Sequence, residues 1–414
     1  LQKKRYVADC EAIMTHEKIE SFFSDTFDEG TLLKLQIFSR YIREWLPVFL
    51  VRWRRANGKN IQPQKVNLYD FFAGAGRDKY GNPGSALRLL EEIKEFCNKN
   101  GGIRAAGIEP SILFNDVNSM HIKLLQKEVE AVRCHEKCCN IRFSVKKFHE
   151  ALMDEISGMR EKDVACLVIM DQFGLSEISK GVISLLDTCP KTDFLFFITS
   201  SFISRFAEQK GIKERFHLGA CNFYSVHRAV CEYYKSILPT GSTLHLAPFS
   251  IRKKNGNIYG VIFGSHHLYG LEKFLKVCLE LDSATGEANY DIDNDGSVRD
   301  GQMDLFGNNK IKKIDKFENE LMEFIRQGIT LYPISNRTTT SPVTNRDIYR
   351  FTLEHGFLPK HATEILRSKN NNREIAVLDK NRRVIEKLRG FYLSHDESNN
   401  DEHLLFFSPK NANN

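Results

Sequence analysis

Long apolar runs are missing from this 414-residue sequence, and so is a segment with the pattern of a signal peptide. No stretch approaches the roughly 18–20 consecutive apolar residues that a membrane-spanning helix needs. The 10 cysteines are scattered at irregular positions, without the regular spacings of a disulfide-rich secreted domain. We therefore expect a cytoplasmic protein with reduced thiols and no membrane partner.

Motifs of three common site classes are also missing. The glycines near residue 75 are not followed by the lysine of a Walker loop, which argues against an ATPase. No Gly-x-Ser-x-Gly elbow is present, so a serine hydrolase has no support. CHEKCC (134–139) has no second cysteine pair, so zinc binding is not the favoured interpretation of this cluster.

The composition is that of a globular chain, with 42% hydrophobic and 27% charged residues and 30 phenylalanines available for a core. Its length suggests two or three domains. The net charge of +6 and the pI of about 8.7 are mildly basic. This charge is compatible with a polyanionic partner but does not require one.

Strand and helix patterns alternate along the first half of the chain, which predicts a parallel sheet with right-handed crossovers. The predicted strands are 66–72, 103–110, 140–148, 165–171 and 193–202, and the predicted helices are 31–56, 84–99, 112–133 and 176–188. Residues 233–267 look strand-like and contain the turn signal NGN at 255–257. We therefore expect the sheet to end in antiparallel strands, with a helix after them at 268–281.

The stretch NLYDFFAGAG (67–76) joins the first predicted strand to the next helix. Glycines there let the backbone approach a ligand, and an acid ending the next strand can bind ribose hydroxyls. The alternative is a tight turn followed by an unrelated surface acid. The candidate cofactor-binding residues are Asp70, Phe72, Ala73, Gly74, Gly76 and Glu109.

The stretch MDQFG (170–174) ends the central apolar strand. Because ligands bind at the carboxyl ends of parallel strands, Asp171 is a candidate for the reaction site. An aspartate at this position can also simply cap the following helix. His266 follows a later strand and is a further candidate, either as a base or substrate contact or as a structural histidine.

DFFAGAGRDKYGNPGSAL (70–87) resembles the D-x-F-A-G-x-G…G-S-P signature of the three-Cys-motif partner (TcmP) proteins. MDQFG resembles the D-P-F/Y-G motif of that family, and IYGVIFGSHHLYGLEKF (258–274) resembles its late strand and helix. The leading helix of the family is similar to the pattern formed here by Lys34, Tyr41 and Trp45. The resemblance implies a Rossmann-like methyltransferase sheet, S-adenosylmethionine as cofactor and a three-cysteine, radical-type partner protein.

The resemblance also suggests roles for single residues. The Gly74/Gly76 loop would hold the methionine part of S-adenosylmethionine, and Glu109 would bind ribose. The insert RDKYGNPG (77–84) would fold over the site with Arg77 and Tyr80 facing the ligand. Phe202 to Arg205 resembles a strand of the family that is followed by an arginine. The candidate catalytic residues are Asp171, Phe173 and His266, and the candidate substrate-binding residues are Arg77, Tyr80 and Arg205.

Departures from the family motifs leave other functions open. Gln172 and Ala86 stand where the family tends to have prolines. The resemblance therefore does not imply direct methylation of an amino group. The chain could instead be a non-catalytic module that binds nucleic acid or protein on a methyltransferase fold. It could also be a Mg²⁺-dependent, nuclease-like enzyme that uses Asp70, Glu109 and Asp171.

We divide the chain into an N-terminal helical extension (1–62), a Rossmann-like methyltransferase-type domain (63–285), an acidic linker with a helix (286–335) and a winged-helix-like C-terminal domain (336–414). Helices at 344–356 and 359–369 and a hairpin at 373–385 predict the last of these. Its basic residues make DNA or RNA a candidate partner. DIDNDGSVRDGQ (291–302) lacks the final glutamate of a calcium loop, so we interpret it as linker.

Overall fold

The chain divides into two compact units, one comprising Leu1–Ser242 and Ile251–His266, the other Thr243–Ser250 and His267–Asn414. The structure is a computed structural model. It describes residues 26–50, 63–99, 108–132, 139–171, 177–199, 226–253, 258–282, 286–292, 312–330, 340–341, 343–379, 381, 383–386, 388, 391–395 and 405–407. The predicted turn at 255–257, most of the cysteine cluster at 134–139 and most of the acidic segment 291–302 lie outside these residues.

Seven strands form the main sheet: β1 (Lys65–Asp70), β2 (Ser111–Asn115), β3 (Asn140–Ser144), β4 (Val164–Met170), β5 (Thr192–Thr199), β6 (His245–Arg252) and β7 (Ile258–Ser265). Their order is β3-β2-β1-β4-β5-β7-β6. The neighbours from β3 to β5 are parallel, whereas β7 is antiparallel to β5. The expected mixed α/β fold with a mostly parallel sheet is confirmed.

Burial explains why the central strand is an unbroken apolar run. All seven residues of β4 are buried, as expected for a strand with parallel neighbours on both sides and other elements covering both faces. β1 pairs with β4 from Lys65↔Val164 to Asp70↔Ile169. This register places the end of β1 beside the end of β4, which positions the candidate site.

Most of the predicted second strand (103–110) lies outside the described residues, and its last residues, 108–110, are not in a strand. The strand that pairs with β1 here is β2, which begins at Ser111, directly after Pro110. Apolar segments lie on both sides of Glu109-Pro110, and proline is tolerated just before a strand as well as near its end. The carbonyl of Pro110 accepts a hydrogen bond from Asn140 N at 2.9 Å, so it already belongs to the pairing with β3. The predicted helix at 112–133 therefore starts later, at Ser119.

Seven of the described helices come before, between or directly after these strands in the sequence. They are α1 (Glu29–Leu50), α2 (Ser85–Lys99), α3 (Ser119–Val132), α4 (Phe148–Met159), α5 (Lys180–Leu186), α6 (Val226–Ser236) and α7 (Leu268–Leu281). α1 contains Pro47 and continues to Leu50. The interpretation of 233–236 as strand is wrong, because these residues end α6. The buried residues His227, Val230 and Tyr234 follow the helical spacing there.

The second unit also contains α8 (Lys313–Gln327), β8 (Ile329–Thr330), β9 (Thr340–Ser341), β10 (Val343–Thr344), α9 (Asn345–Glu354), α10 (Pro359–Asn371), β11 (Ala376–Leu378) and β12 (Leu405–Phe407). A three-stranded antiparallel sheet has the order β10-β12-β11. Thr344 caps α9 through a capping box with Asp347. Among the helices that the structure describes, none is long and apolar enough to cross a membrane.

Candidate functional site

Three aspartates meet at the carboxyl edge of the parallel strands. Asp70 is the last residue of β1, Asp116 directly follows β2, and Asp171 directly follows β4. Because β2, β1 and β4 are adjacent and parallel, their carboxyl ends lie side by side. This is the edge at which open α/β sheets bind their ligands.

Asp70 is fully buried at this edge, and burial raises the pKa of its carboxyl group to about 7. The nearby charges of Asp171 and Asp116 raise it further, whereas hydrogen bonding from Ser85 and from Phe72 N opposes the shift. Its Oδ2 atom has no well-aligned hydrogen-bond partner among the described residues. A buried polar atom of this kind is the place where a hydrogen-bonding ligand group is expected.

The loop after β1 owes its shape to glycine. Gly74 and Gly76 have φ angles of 63° and 93°, a conformation that other residues rarely adopt. A Cβ atom on Gly76 would also lie 3.0 Å from Cδ1 of Leu125 on α3. The two glycines therefore let the loop turn sharply while it lies close to α3.

Backbone amides tie the same loop to the end of β2. Ala73 N donates to the Asn115 carbonyl at 2.9 Å, and Gly74 N donates to Asp116 Oδ2 at 3.1 Å. The side chain of Phe72 points elsewhere and packs against Phe148 at the start of α4, with ring centroids 5.2 Å apart. Of the predicted cofactor residues, Ala73 and Gly74 are thus in direct contact with the acidic end of β2.

Glu109 does not belong to this edge. It precedes β2, and because β2 is parallel to β1, Glu109 lies at the amino end of the sheet and is exposed. The acid that follows β2 is Asp116, which is buried and accepts a further hydrogen bond from Asn118 N at 2.7 Å. Sequence reasoning missed Asp116 because the limits of β2 were wrong.

The insert after Gly76 is an ordered hairpin centred on Asp78. Its carboxylate accepts hydrogen bonds from Phe27 N, Tyr80 N, Asn82 N and Asn82 Nδ2 at 2.8–2.9 Å. Burial works to raise the pKa of Asp78, but the hydrogen bonds from Asn82, Phe27 and Tyr80 hold it below its ordinary value. The hairpin is therefore held in one conformation by a single buried side chain.

The two predicted ligand contacts of this hairpin differ in their surroundings. Arg77 Nε donates to Glu128 Oε2 on α3 at 2.7 Å, and Arg77 donates to the Gly81 carbonyl at 2.8 Å. The guanidinium therefore braces the hairpin against α3. Tyr80 is 70% exposed. The ligand contacts of Arg77 and Tyr80 stay predictions.

α1 supplies a lysine to the same edge. Lys34 Nζ lies 2.5 Å from Asp171 Oδ2, and their side chains are 8% and 19% exposed. The ammonium group also lies 4.5 Å from the centre of the Phe197 ring on β5, a favourable cation–π distance. Asp171 is thus part of a partly buried ion pair at the carboxyl edge.

A second residue of the α1 pattern binds the amino end of β5. Tyr41 donates to Asp193 Oδ2 at 2.6 Å. Burial raises the pKa of Asp193 to about 6, whereas hydrogen bonding from Ser265 and Tyr41 opposes the shift. Trp45 is buried, and its Nε1 atom has no well-aligned hydrogen-bond partner among the described residues. Lys34 and Tyr41 therefore face acidic groups of the sheet, whereas Trp45 contributes to the core.

His266 lies away from the site. Because β7 is antiparallel to β5, the end of β7 is at the opposite edge of the sheet, where Phe194 pairs with Gly264. His266 lies 3.8 Å from Asp187, the residue that caps α5. Burial lowers the pKa of His266, while Asp187 and backbone hydrogen bonds at the end of α5 oppose that shift. His266 is therefore not brought together with Asp70, Asp116 and Asp171, and its catalytic role stays a prediction.

The predicted metal triad is not assembled either, because Glu109 lies at the other edge from Asp70 and Asp171 and Asp171 pairs with Lys34. Within the part of the chain that the structure describes, no group of three or more His, Cys, Asp or Glu residues could hold a metal ion. Phe173 and Arg205 lie outside the described residues. The observed arrangement is a mixed α/β protein with a candidate ligand site at the carboxyl edge of its sheet.

No family model matches this sequence, and no curated protein matches it. Similar solved structures include an O-methyltransferase from Bacillus cereus in complex with SAH, which is 10% identical, with 60% of this chain and 96% of that chain covered and a TM-score of 0.31. The O-methyltransferase TomG from Streptomyces achromogenes, in complex with SAM, is 8% identical, with 61% and 100% covered and a TM-score of 0.30. The magnesium protoporphyrin IX methyltransferase ChlM from Synechocystis, with bound SAH, is 10% identical, with 63% and 99% covered and a TM-score of 0.30. Similarities this weak do not identify a function for this chain.

Proposed function

We propose that this chain is an S-adenosylmethionine-binding, methyltransferase-like protein of the three-Cys-motif partner type. The observation that carries the proposal is the loop with positive-φ Gly74 and Gly76, which is hydrogen-bonded to Asp116 and lies beside the buried Asp70. Glycines that admit a ligand to the backbone and an acid at the end of the next strand are what a nucleoside cofactor requires.

Asp116 takes the ribose-binding role that Glu109 has in the sequence-based hypothesis. Each of its carboxylate oxygens accepts one backbone hydrogen bond, from Gly74 N or Asn118 N. A carboxylate has about four acceptor positions, so capacity for two hydroxyl groups remains. The Oδ2 atom of Asp70, which has no well-aligned hydrogen-bond partner among the described residues, would accept a hydrogen bond from a polar group of the cofactor's amino-acid part.

The cofactor, when bound, supplies a methyl group already activated on a sulfonium sulfur. The chain's own residues would then bind, orient and shield, because a positioned substrate gains most of its rate advantage from orientation. Asp171 lies on the side of the site next to β4 and β5, where a methyl-accepting substrate would enter. Because Asp171 is ion-paired with Lys34 on α1, this helix influences the charge on that side of the site.

The affiliation with three-Cys-motif partner proteins draws support from α1. Two of the pattern residues contact an aspartate of the sheet: Lys34 pairs with Asp171, and Tyr41 donates to Asp193. Buried polar side chains of this kind are costly to place unless their partners are present. The three-cysteine partner protein itself is part of the proposal, and co-purification of the two proteins expressed together is the measurement that tests it.

Titration calorimetry with S-adenosylmethionine tests the cofactor proposal. We expect one site per chain with a dissociation constant between about 1 μM and 1 mM, the usual span of Michaelis constants. S-Adenosylhomocysteine should compete for the same site, and adenosine should bind more weakly. A folded protein that releases no heat with either compound would contradict the proposal.

We further infer that α9, α10 and the β10-β12-β11 sheet form the winged-helix-like module expected from the sequence, and that it binds DNA or RNA. Support comes from the hairpin turn between Leu378 and Val384, where Arg383 is exposed and Val384 is 65% exposed. On α10, by contrast, Lys369 is neutralised by Glu318 and Glu374. Salt-dependent binding of a short duplex that weakens in Arg383→Ala but not in Lys369→Ala is the expected result.

A further inference from the structure

A largely buried ion pair is an unexpected feature for a site that only has to position a neutral ligand. The Lys34 side chain is buried at 8% exposed and that of Asp171 is partly buried at 19%, so both charges have lost part of their hydration. Replacing such a pair with apolar side chains is often neutral or stabilising, which makes it a poor device for stability. The pair therefore points to a role for charge in the site itself.

The charges at the carboxyl edge are unbalanced without this lysine. Asp70, Asp116 and Asp171 meet there, and Lys34 is the one lysine or arginine ion-paired with any of them among the described residues. His121 Nδ1 lies 3.3 Å from Asp116 Oδ1 on the far side, at the start of α3. Lys34 thus sets how much negative charge the side of the site next to β4 presents.

We propose that Lys34 is a specificity-determining residue that sets the preference of the site between a positively charged ligand and its uncharged counterpart. Under the proposed function, which this inference rests on, the two ligands are S-adenosylmethionine, with its positive sulfonium, and S-adenosylhomocysteine, with a neutral sulfur. An ammonium group beside Asp171 cancels part of the attraction of that carboxylate for another cation. Lys34 therefore limits the preference for the cation, and Asp171 supports it.

The chain provides a matched control. The Lys253 side chain is 10% exposed and is ion-paired with an aspartate, Asp28, which is itself 48% exposed. Its ammonium group lies 3.9 Å from the centre of an aromatic ring, that of Tyr259. Its carboxylate partner is not one of the three aspartates of the carboxyl edge. Loss of Lys253 should disturb α1 and the sheet as loss of Lys34 does, without changing the charge of the site.

The experiment is titration calorimetry with both ligands at pH 8, well above the ordinary pKa of an aspartate. In Lys34→Met, the ratio of the S-adenosylhomocysteine to the S-adenosylmethionine dissociation constant should rise by roughly threefold or more, because a positive charge that opposes binding of the cation has been removed. Lys34→Arg and Lys253→Met should stay within about twofold of the unchanged protein. A change in Lys34→Met that is absent from both Lys34→Arg and Lys253→Met would show that the charge at position 34 matters, because loss of a lysine's packing alone would also affect the other two variants.

Asp171→Asn should shift the same ratio in the opposite direction, and the double variant Lys34→Met/Asp171→Asn should return it close to its original value. The double variant contains no unpaired buried charge, so comparing it with Asp171→Asn keeps the test available if Lys34→Met alone does not fold. An unchanged ratio in Lys34→Met and in this comparison would overturn the inference while the cofactor proposal stands. If neither ligand binds the unchanged protein, the proposed function fails, and the inference fails with it.

Discussion

Lys34 Nζ and Asp171 Oδ2 lie 2.5 Å apart although 137 positions of sequence separate the two residues. The lysine belongs to a helix that precedes the sheet, and the aspartate follows the central strand. Their contact makes α1 part of the candidate site. Binding at the carboxyl edge is therefore expected to depend on residues from well outside the glycine loop.

The first prediction distinguishes the two acids that flank β2. Asp116→Asn should weaken S-adenosylmethionine binding by about tenfold or more, because a charged acceptor for hydroxyl groups is lost. Glu109→Gln is the matched control, since it changes the same charge at the opposite, exposed edge, and it should bind normally. Titration calorimetry of both variants checks the assignment, and equal losses would contradict it.

A second prediction concerns how Arg77 acts. If the guanidinium serves to brace the hairpin against α3, Glu128→Ala should weaken cofactor binding about as much as Arg77→Ala does, since both break the 2.7 Å contact. Tyr80→Ala, which changes an exposed side chain, should leave thermal stability unchanged. A loss of binding in Arg77→Ala without one in Glu128→Ala would show direct contact with the ligand instead.

The third prediction is a pH dependence from Asp70. Its pKa of about 7 in the folded protein lies above the ordinary aspartate value near 4. Ionisation of Asp70 therefore costs folding free energy, and the stability contributed by its neutral form is lost as the pH rises from about 4 through about 7. Asp70→Asn, which keeps an acceptor for Phe72 N, should gain in melting temperature relative to the unchanged protein between pH 5 and pH 8. A constant difference across this range would refute the assignment.

The fourth prediction separates structure from catalysis at His266. His266→Ala removes hydrogen bonding at the end of α5 and should lower the free energy of unfolding by about 1–2 kcal/mol. S-Adenosylmethionine binding, and any methyl transfer, should be nearly unchanged in the folded fraction. Urea denaturation and calorimetry on the same sample provide both measurements, and lost binding in a stable variant would restore His266 to the site.

Local patterns predicted those parts of the fold that depend on local burial. The run VACLVIM predicted β4 because a strand buried on both faces is apolar throughout. The helix at 268–281 matches α7, whose apolar residues face one side. The glycines of the β1 loop were identifiable because few residue types tolerate positive φ.

Residues whose position depends on register or strand direction could not be placed in the same way. Glu109 and Asp116 flank one short apolar run, and only the pairing of β2 with β1 decides which of them reaches the site. His266 follows a strand as Asp171 does, but the reversed direction of β7 puts it at the other edge. The partner of Lys34 depends on a contact across 137 positions, for which sequence spacing provides no signal.

α1 is synthesised well before the strand whose aspartate it binds. Tyr41 leaves the ribosome 152 residues before Asp193, its hydrogen-bond partner. At about 5–20 residues per second, translation takes roughly 8–30 s to supply that partner. During this interval the apolar face of α1 has no sheet to cover, which makes the nascent helix a natural client for chaperones that bind exposed apolar segments.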